Sequence, residues 1–338
     1  MLNLNRKMIL KTTLPTLLSS VAILGMGLVM AMMVFPLDSV FSREIIQASP
    51  YIMVGFFFLG LVALICRQER LMKSSFLAVA VLAFMLRSSA VAPFEGLAAS
   101  ALAFDQIEQT QPVSVSQYST SNLLIEGAPS ISTILSSNAD LVTIQGLTPD
   151  WSDLLIDSLT HKYPHYYLFE DIGVHGLGLF SKMELGSVDS FLIGDVVQVS
   201  ACLSGQETSP ELTLVAVQTT PPVNNGSYQE MKAQLAALSD YVGGISGPSI
   251  TIGDFNNMPW SNELSAFQSK ANLQDSRRSL FPTYHEGAPH LFDRPVEHIF
   301  FSKDLQCIQY RAQRAGSTYI GSGATFQLKS NRSAMVAR

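Results

Sequence analysis

The feature that most constrains how this chain can fold is a run of 22 residues without a charge, from Leu14 to Phe35. A helix of that length crosses the hydrocarbon core of a bilayer, so the run predicts a membrane-spanning segment. Its N-terminal flank is basic, with Arg6, Lys7 and Lys11. A cleaved signal peptide is the alternative. The length of the run, the lack of a small-x-small cleavage site and the apolar segments that follow favour an anchor.

Two further apolar segments, residues 51–66 and 75–91, predict a second and a third membrane-spanning helix. The loop of residues 67–73 carries three positive charges, whereas residues 36–50 carry one, Arg43, against Asp38 and Glu44. The positive-inside rule therefore places the N-terminus and the 67–73 loop in the cytoplasm. Arg87 lies late in the third segment, where its guanidinium can reach the outer membrane–water interface and act as an anchor. The alternative is that Arg87 belongs to a functional site within the membrane. These segments predict a multi-pass protein of a bacterial inner membrane, whose residues after 92 are periplasmic.

The chain divides by charge at the end of these segments. Residues 1–91 hold eight Lys and Arg against three Asp and Glu, whereas residues 92–338 hold 13 against 24. An acidic domain repels polyanions at long range, so nucleic acid is not an expected partner. Arg277 and Arg278 form its one adjacent basic pair, which we expect in a solvated surface turn. Cys202 and Cys307 fall in predicted strands outside the cytoplasm, where a disulfide is permitted but not required.

The second part of the chain predicts a linker over residues 92–116, a folded domain over 117–328 and a tail over 329–338. Near-continuous β-branched runs predict buried strands, and apolar residues at a spacing of three and four predict helices. The predicted strands are 117–125, 139–146, 166–169, 176–182, 195–203, 211–219, 250–252, 296–302, 305–311 and 325–328. The predicted helices are 131–137, 149–162, 228–242 and 262–270. Thr148 is the expected N-cap of the second of these helices, and Pro149 is its expected first residue.

A short stretch from Ser249 to Leu264, SITIGDFNNMPWSNEL, combines a buried strand with polar residues at its end. Gly253 allows the backbone to turn tightly. Asp254 and Asn256 follow at a spacing of two, which in a strand sends both side chains to the same face. A carboxylate and an amide placed together suit a metal ion and a phosphate oxygen.

The string GDFNNMPWS resembles the GDFN-x-x-PWS signature of the endonuclease/exonuclease/phosphatase superfamily of metal-dependent phosphodiesterases, and especially its membrane-anchored bacterial branch. The resemblance implies an α+β fold, a four-layer α/β/β/α sandwich of two stacked mixed sheets, here preceded by three transmembrane helices. It also implies six short motifs that together supply the active site. Of the GDFN motif, Asp254 and Asn256 are both present.

The motifs of the first half of the domain are only partly kept. An Asn that ends the opening strand is matched by Asn122 in STSNLL. The metal-binding Glu of the LQE motif aligns with Gly146, because Gln145 and the Thr148-Pro149 pair anchor the alignment. The phosphate-contacting His of TH-x-x-PP aligns with Gln218, which can donate a hydrogen bond but does not titrate near neutrality.

The last two motifs have changed as well. The Asp of the IDH motif aligns with Glu297, and His298 beside it alternates to the opposite face, which favours a structural role. The Asp–His pair of GSDHRP aligns with Thr318 and Tyr319, neither of which is a general base at neutral pH. The other histidines lie in no motif and are expected on the surface or in loops: His161, His165, His175, His285 and His290.

These matches predict an extracytoplasmic domain whose hydrolytic site has decayed, and which serves as a binding or scaffold module or as a subunit of a membrane complex. Catalytic groups that act as a unit fail together, so the lost positions should abolish most of the activity. The alternative is an active Mg²⁺-dependent phosphodiesterase or phosphatase with a reduced site. Its metal would be held by Asp254 and Glu297, and its partners would be the membrane and protein subunits.

Overall fold

A computed structural model describes residues 2–90, 111–120, 128–173, 175–203, 211–277, 296–315 and 318–329. The chain separates into two compact units at Val91 and Ala92, and each is described by itself. The first unit is helical, with α1 over Leu2–Val34, α2 over Val40–Gln47, α3 over Ser49–Ile65 and α4 over Glu69–Ala90.

The described residues contain one helix that is long and apolar enough to cross a membrane, at Thr16–Val34. A signal sequence near an N-terminus has the same properties. Helices α2 and α3 qualify only together, as a pair bent by 60°. The prediction of three membrane-spanning helices is therefore corrected to one candidate, or two if the bent pair forms one span. Residues 51–65 of the second predicted segment lie in the 17-residue helix α3, and residues 75–90 of the third lie in α4, which also carries Glu69, Arg70, Lys73 and Arg87.

The second unit contains twelve described strands in two six-stranded sheets. The first sheet has the order β11-β12-β1-β2-β4-β3, and the second has the order β5-β6-β7-β8-β10-β9. Both are mixed, since β1 and β2 run parallel, as do β7 and β8, and the other pairs are antiparallel. The strands are β1 Val113–Ser119, β2 Leu141–Gln145, β3 His165–Phe169, β4 Leu177–Ser181, β5 Leu185–Ile193, β6 Val196–Leu203, β7 Leu212–Gln218, β8 Ser249–Asp254, β9 Leu273–Asp275, β10 Glu297–Ser302, β11 Leu305–Ala315 and β12 Thr318–Leu328.

Four helices accompany the sheets: α5 Ala128–Ser137, α6 Pro149–Leu159, α7 Asn225–Gly243 and α8 Asn262–Ala271. Thr148 caps α6, whose first residue is Pro149, as the sequence predicts. Helices α5 and α6 cover one face of the first sheet, where Ile134 and Leu155 pack with Val142 and Phe180. On the second sheet, the Phe267 ring of α8 lies 5.5 Å from that of Phe300.

The inner faces of the two sheets pack directly on each other. Val115, Leu141 and Leu179 of the first sheet share one buried cluster with Ile252 and Ile299 of the second. This core is the apolar layer that two stacked sheets require. The predicted α+β fold of two stacked mixed sheets with helices is therefore confirmed.

Several element predictions need correction. Strand β1 begins at Val113, inside the predicted linker, and ends at Ser119. The predicted strand 325–328 is the end of the longer β12. The sequence analysis missed β5 and β9. Cys202 and Cys307 both carry thiols and form no disulfide within the described chain.

Candidate functional site

Three polar side chains stand side by side across the second sheet. In the strand register, Asp254 of β8 lies opposite Gln218 of β7 on one side and opposite Glu297 of β10 on the other. Ile252 and Ile299, each two residues away, belong to the core between the sheets. Because side chains alternate along a strand, Gln218, Asp254 and Glu297 also face the first sheet. We call these three residues the site row.

Asp254 ends its strand in a tight turn. Its Oδ1 accepts a hydrogen bond of 2.9 Å from the backbone N–H of Asn256, which has a φ of +50°. The Asn256 side chain donates from Nδ2 to the backbone oxygen of Thr219, at 2.8 Å. Burial raises the pKa of Asp254 to about 6, although the hydrogen bond from Asn256 acts in the opposite direction. The GDFN string thus builds an Asx turn that fixes the carboxylate.

Glu297 is buried, with 4% of its surface exposed. Its Oε2 accepts a hydrogen bond of 2.5 Å from the hydroxyl of Tyr319. Burial raises the pKa of Glu297 to about 7; the Tyr319 hydrogen bond lowers it, the Asp254 carboxylate raises it and Arg277 lowers it. The pKa of Tyr319 also stands well above its ordinary value, because of burial first and then the Glu297 charge. Tyr319 is therefore a proton donor in this pair and not a base.

Gly146 follows the end of β2 with a φ of +72°, a conformation that residues with a Cβ rarely adopt. A Cβ at this position would lie 2.7 Å from Oγ1 of Thr120. That hydroxyl also donates a hydrogen bond of 2.6 Å to the carbonyl oxygen of Gly146. A side chain at the position that aligns with the metal-binding Glu would therefore need a strained backbone and a displacement of the Thr120 hydroxyl.

The third member of the site row, Gln218, is also buried. Its backbone is held by the amide of Gln198, which accepts from the Gln218 N–H at 3.0 Å and donates to the Gln218 oxygen at 2.9 Å. Thr318 begins β12, where it pairs with Ala315. The site row and the start of β12 therefore bring together four predicted site positions, Gln218, Asp254, Glu297 and Tyr319.

Asn122 lies outside the described residues, so its assignment stays a prediction. Strand β1 ends at Ser119, which lies opposite Gln145 in the parallel register. The residue that ends the opening strand is therefore Ser119. Of the other histidines, His161 lies on the surface and His165 in β3, while His285 and His290 fall outside the described residues.

Arg277, which the sequence places in a surface turn, is instead buried beside the site row, with 4% of its surface exposed. Its Nη2 donates a hydrogen bond of 2.6 Å to the backbone oxygen of Glu297. His298 is buried as well, with Nε2 2.8 Å from the oxygen of Asn257 and Nδ1 3.3 Å from Oδ2 of Asp275. Nothing in the sequence pattern signals the position of Arg277, because strand β9 before it has only three residues.

The donor set does not fit a Mg²⁺ ion well. Within the described part of the chain, no group of three or more His, Cys, Asp or Glu side chains could hold a metal. Mg²⁺ prefers an octahedron of oxygen ligands. Of the two predicted ligands, Asp254 is engaged by Asn256 and Glu297 by Tyr319. The residues of the site row therefore offer a cation two carboxylates that already accept hydrogen bonds.

Comparisons with known proteins agree with this architecture. A model of the endonuclease/exonuclease/phosphatase family matches residues 124–322. No curated protein sequence matches the chain. An endonuclease/exonuclease/phosphatase of Beutenbergia cavernae has a similar structure, with a TM-score of 0.53 and 16% identity over 65% of this chain and 72% of that one. TDP2 of D. rerio, solved with a single-strand DNA product, has a TM-score of 0.52 and 15% identity over 64% of this chain and 100% of that one. A family protein of Bacteroides thetaiotaomicron has a TM-score of 0.51 and 15% identity over 66% and 100%.

Proposed function

Because the chain belongs to the endonuclease/exonuclease/phosphatase family, we propose that its second unit is a family module with an impaired hydrolytic site, which acts at a membrane as a binding or scaffold domain. The observation that carries this proposal is Gly146. The chain has no side chain there to supply the carboxylate that the family resemblance implies, and its left-handed backbone and the nearby Thr120 hydroxyl disfavour one.

Metal-dependent phosphoester hydrolysis requires a cation that polarises the phosphate and a base that activates water. The resemblance places an Asp–His pair where this chain has Thr318 and Tyr319. Tyr319 instead donates its hydroxyl proton to Glu297, across from the first sheet to the second. A protonated phenol that is already bonded to a carboxylate does not accept a proton from water. This geometry supports a module without a general base at that position.

A turnover assay tests the proposal. The full-length chain, purified in a mild detergent, is incubated with bis(p-nitrophenyl) phosphate and Mg²⁺ or Mn²⁺, next to the Asp254→Ala variant. We expect the two proteins to give the same background rate, because Asp254 lacks the partners that would make it a catalyst. Metal-dependent turnover that disappears in Asp254→Ala would refute the proposal.

The alternative is an active Mg²⁺-dependent phosphodiesterase or phosphatase with a reduced site of Asp254, Asn256, Glu297 and Asn122. This enzymatic function is favoured by the pairing of Asp254 with Glu297 on neighbouring strands, since two carboxylates that lie close together attract divalent cations. Titration calorimetry with Mg²⁺ separates the two functions. Sub-millimolar binding that is lost in Asp254→Asn would favour the enzyme, and very weak binding would favour the module.

Besides its one apolar helix, the first unit has a distribution of polar and apolar side chains that supports a membrane location. Its polar side chains Ser42, Arg43, Gln47 and Ser75 are buried, whereas its large apolar side chains are widely exposed. The exposed set includes Leu24, Leu28, Phe41, Phe58, Ile65, Leu77 and Phe84. A bundle with polar residues inside and apolar residues outside is suited to lipid as its solvent. We therefore extend the proposal to a multi-pass inner-membrane protein with its second unit in the periplasm.

Topology reporters test this location. Alkaline phosphatase, which is active only outside the cytoplasm, is fused after Arg338 in one chain and after Lys73 in another. We expect activity from the first fusion and none from the second, because the basic 67–73 loop should be cytoplasmic. The reverse pattern, or activity from both fusions, would refute the orientation.

Partner recognition remains a further part of the proposal. The charge of −11 on residues 92–338 disfavours nucleic acid as the ligand, although TDP2 of D. rerio was solved with a DNA product. A stoichiometric protein that co-purifies in mild detergent would support the role of a complex subunit. A clean monomer would favour a module that binds its ligand alone.

A further inference from the structure

The segment between α1 and α3, residues 35–48, turns its polar side chains toward the protein. In α2, Ser42 and Gln47 are buried, and Arg43 is 6% exposed. A helix that lies between a protein core and water has the opposite arrangement, with its polar side chains outward. Water as the outer neighbour of α2 therefore does not account for this pattern.

The cation of this segment has its partners within α2. Nη1 of Arg43 lies 2.6 Å from Oε1 of Glu44. With the Gln47 amide oriented so that its oxygen faces the guanidinium, this oxygen accepts from Nη2 at 2.6 Å and from Nε at 3.0 Å. The charge of Arg43 is thus paired and hydrogen-bonded, as a cation close to lipid requires.

The backbone at the bend between α1 and α2 is hydrogen-bonded as well. The N–H of Leu37 donates to Oγ of Ser42 at 3.1 Å, and the N–H of Ser42 donates to Oγ of Ser39 at 3.3 Å. The N–H of Ser39 donates to the backbone oxygen of Leu37 at 2.8 Å, and Pro36 has no N–H to satisfy. Non-helical backbone is tolerated close to lipid only where it has such partners.

Three large apolar side chains face outward along the same stretch. Phe35 is 77% exposed, and Leu37 and Phe41 are each 64% exposed. Single exposed apolar residues are ordinary on a protein surface, but a local concentration of them indicates an apolar neighbour. We call these three residues the apolar strip.

Lipid fits the apolar strip better than a protein partner does. A stable protein interface buries about 800 Å² on each side, more than three side chains provide. The strip directly follows the apolar stretch Thr16–Val34, whose Leu24 and Leu28 are exposed in the same way. The 60° bend between α2 and α3 turns α2 away from the axis of the next helix. The exposed acids Asp38 and Glu44 suit the level of the lipid head groups.

We propose that residues 35–47 form an interfacial membrane segment, in which α2 lies at the boundary between lipid head groups and acyl chains and the apolar strip inserts among the chains. Such a segment has its apolar face buried roughly 5–10 Å into this boundary. The inference rests on the membrane location in the proposed function. It goes beyond that location, because it assigns a lipid-binding surface to the connection between two helices.

Fluorescence quenching tests the inference in the full-length chain. Cys66, Cys202 and Cys307 are replaced by Ala, and Phe41→Cys is labelled with a bimane maleimide. The protein is placed in phosphatidylcholine nanodiscs, in which both faces of the bilayer are accessible. The quenchers are iodide in the water, a lipid with a nitroxide near its head group, and a lipid with a nitroxide near the end of its acyl chain.

We expect the shallow nitroxide to quench the label of Phe41→Cys at least about two-fold more than the deep nitroxide does. Iodide should quench it at least about three-fold less than it quenches a label on Ile172→Cys, which is the control for water at a 92% exposed position of the second unit. Leu24→Cys, within the apolar stretch of α1, is the control for lipid and should be quenched more by the deep nitroxide.

Iodide quenching of Phe41→Cys as strong as that of Ile172→Cys would overturn the inference. Protection from all three quenchers would overturn it too, since a protein would then cover the apolar strip, and so would stronger quenching by the deep nitroxide. Leu37→Cys should repeat the expected pattern, and its result decides if Phe41→Cys does not fold. A label on Leu24→Cys that neither nitroxide quenches would instead refute the membrane location, so the two failures are distinguishable.

Discussion

The hydroxyl of Tyr319 lies 2.5 Å from Oε2 of Glu297 and joins β12 of the first sheet to β10 of the second. Both side chains lie between the sheets, and Glu297 is 4% exposed. In this position a carboxylate without a donor would be desolvated and unbalanced. The hydrogen bond therefore connects the two sheets at this end of the site and gives the buried carboxylate a donor.

We predict that Tyr319→Phe lowers the free energy of unfolding by about 1–3 kcal/mol at pH 8, where Glu297 is ionised. The variant keeps the ring and its packing but removes the donor. Denaturant unfolding followed by tryptophan fluorescence measures the change. Tyr241→Phe, at a partly exposed ring of α7, is the control and should change stability by less than about 0.5 kcal/mol. Equal stability of Tyr319→Phe and the parent chain would contradict this account.

Glu297 predicts a pH dependence with a definite sign. Its pKa rises from an ordinary value of 4.5 to about 7, so between these values the folded state binds more protons than the unfolded state. Stability from this group is therefore present at low pH and lost as pH rises through 7. Asp254, with a pKa raised to about 6, acts in the same direction. His298 acts in the opposite direction below pH 6.5, because burial lowers its pKa.

The difference between the parent chain and Glu297→Gln isolates the Glu297 contribution from that of His298. We expect the two proteins to have similar stabilities at pH 5 and the variant to be more stable at pH 8, by up to about 3 kcal/mol. The amide can still accept the Tyr319 hydrogen bond, so the geometry is kept. Unfolding curves at four pH values between 5 and 8 measure this difference. A difference that shrinks as pH rises would rule out a raised pKa.

The sequence predicted well the parts of the fold that local pattern determines. The apolar run before Asp254 predicts β8, and Thr148 with Pro149 predicts the start of α6. Strand β5 was missed because its exposed and half-buried residues do not alternate in the way that a half-buried strand does. Strand β9, with three residues, is too short for any periodicity.

The site was only partly predictable, because its contacts join distant segments. The resemblance gave Asp254 and its neighbour Glu297, whose pairing is a matter of strand register. The bond from Tyr319 to Glu297 depends instead on an irregularity in the pairing of β12 with β11, where Gln313 faces Gly321 and Arg314 faces Tyr319, so that β12 has one additional residue next to Tyr319. Arg277 was mispredicted, because a basic pair in a sequence resembles a solvated turn, whereas the backbone oxygen of Glu297 and the ring of Tyr310 that contact its guanidinium lie in distant strands.

Gly146 allows backbone strain to be separated from side-chain crowding. Gly247 also has a positive φ, of +90°, but a Cβ there would meet nothing within 4 Å. Gly247→Ala should therefore cost only the strain, about 1–2 kcal/mol. Gly146→Ala should cost more, about 2–4 kcal/mol, because its Cβ also meets Oγ1 of Thr120 at 2.7 Å. Denaturant unfolding compares the two variants.

Gly146→Asn tests whether the positive φ of Gly146 contributes to the cost of a side chain there. Asn adopts a positive φ more readily than Ala, so it should be less destabilising than Ala by a few tenths to about 1 kcal/mol, although it is larger. If Gly146→Ala and Gly247→Ala cost the same, the contact with Thr120 carries no energy. The barrier to a side chain at this position would then come from the backbone conformation alone.

His298 is expected to stabilise the fold through packing. Its ring stacks on Phe300 with centroids 5.3 Å apart and planes 5° apart, and it meets Phe255 edge-on at 5.8 Å. Its two nitrogens contact Asn257 and Asp275. His298→Ala should therefore lower the free energy of unfolding by about 2–4 kcal/mol, since it leaves a cavity and removes both polar contacts. His161→Ala, at an exposed position, is the control and should change stability by less than about 0.5 kcal/mol. A folded His298→Ala variant as stable as the parent chain would exclude this structural role.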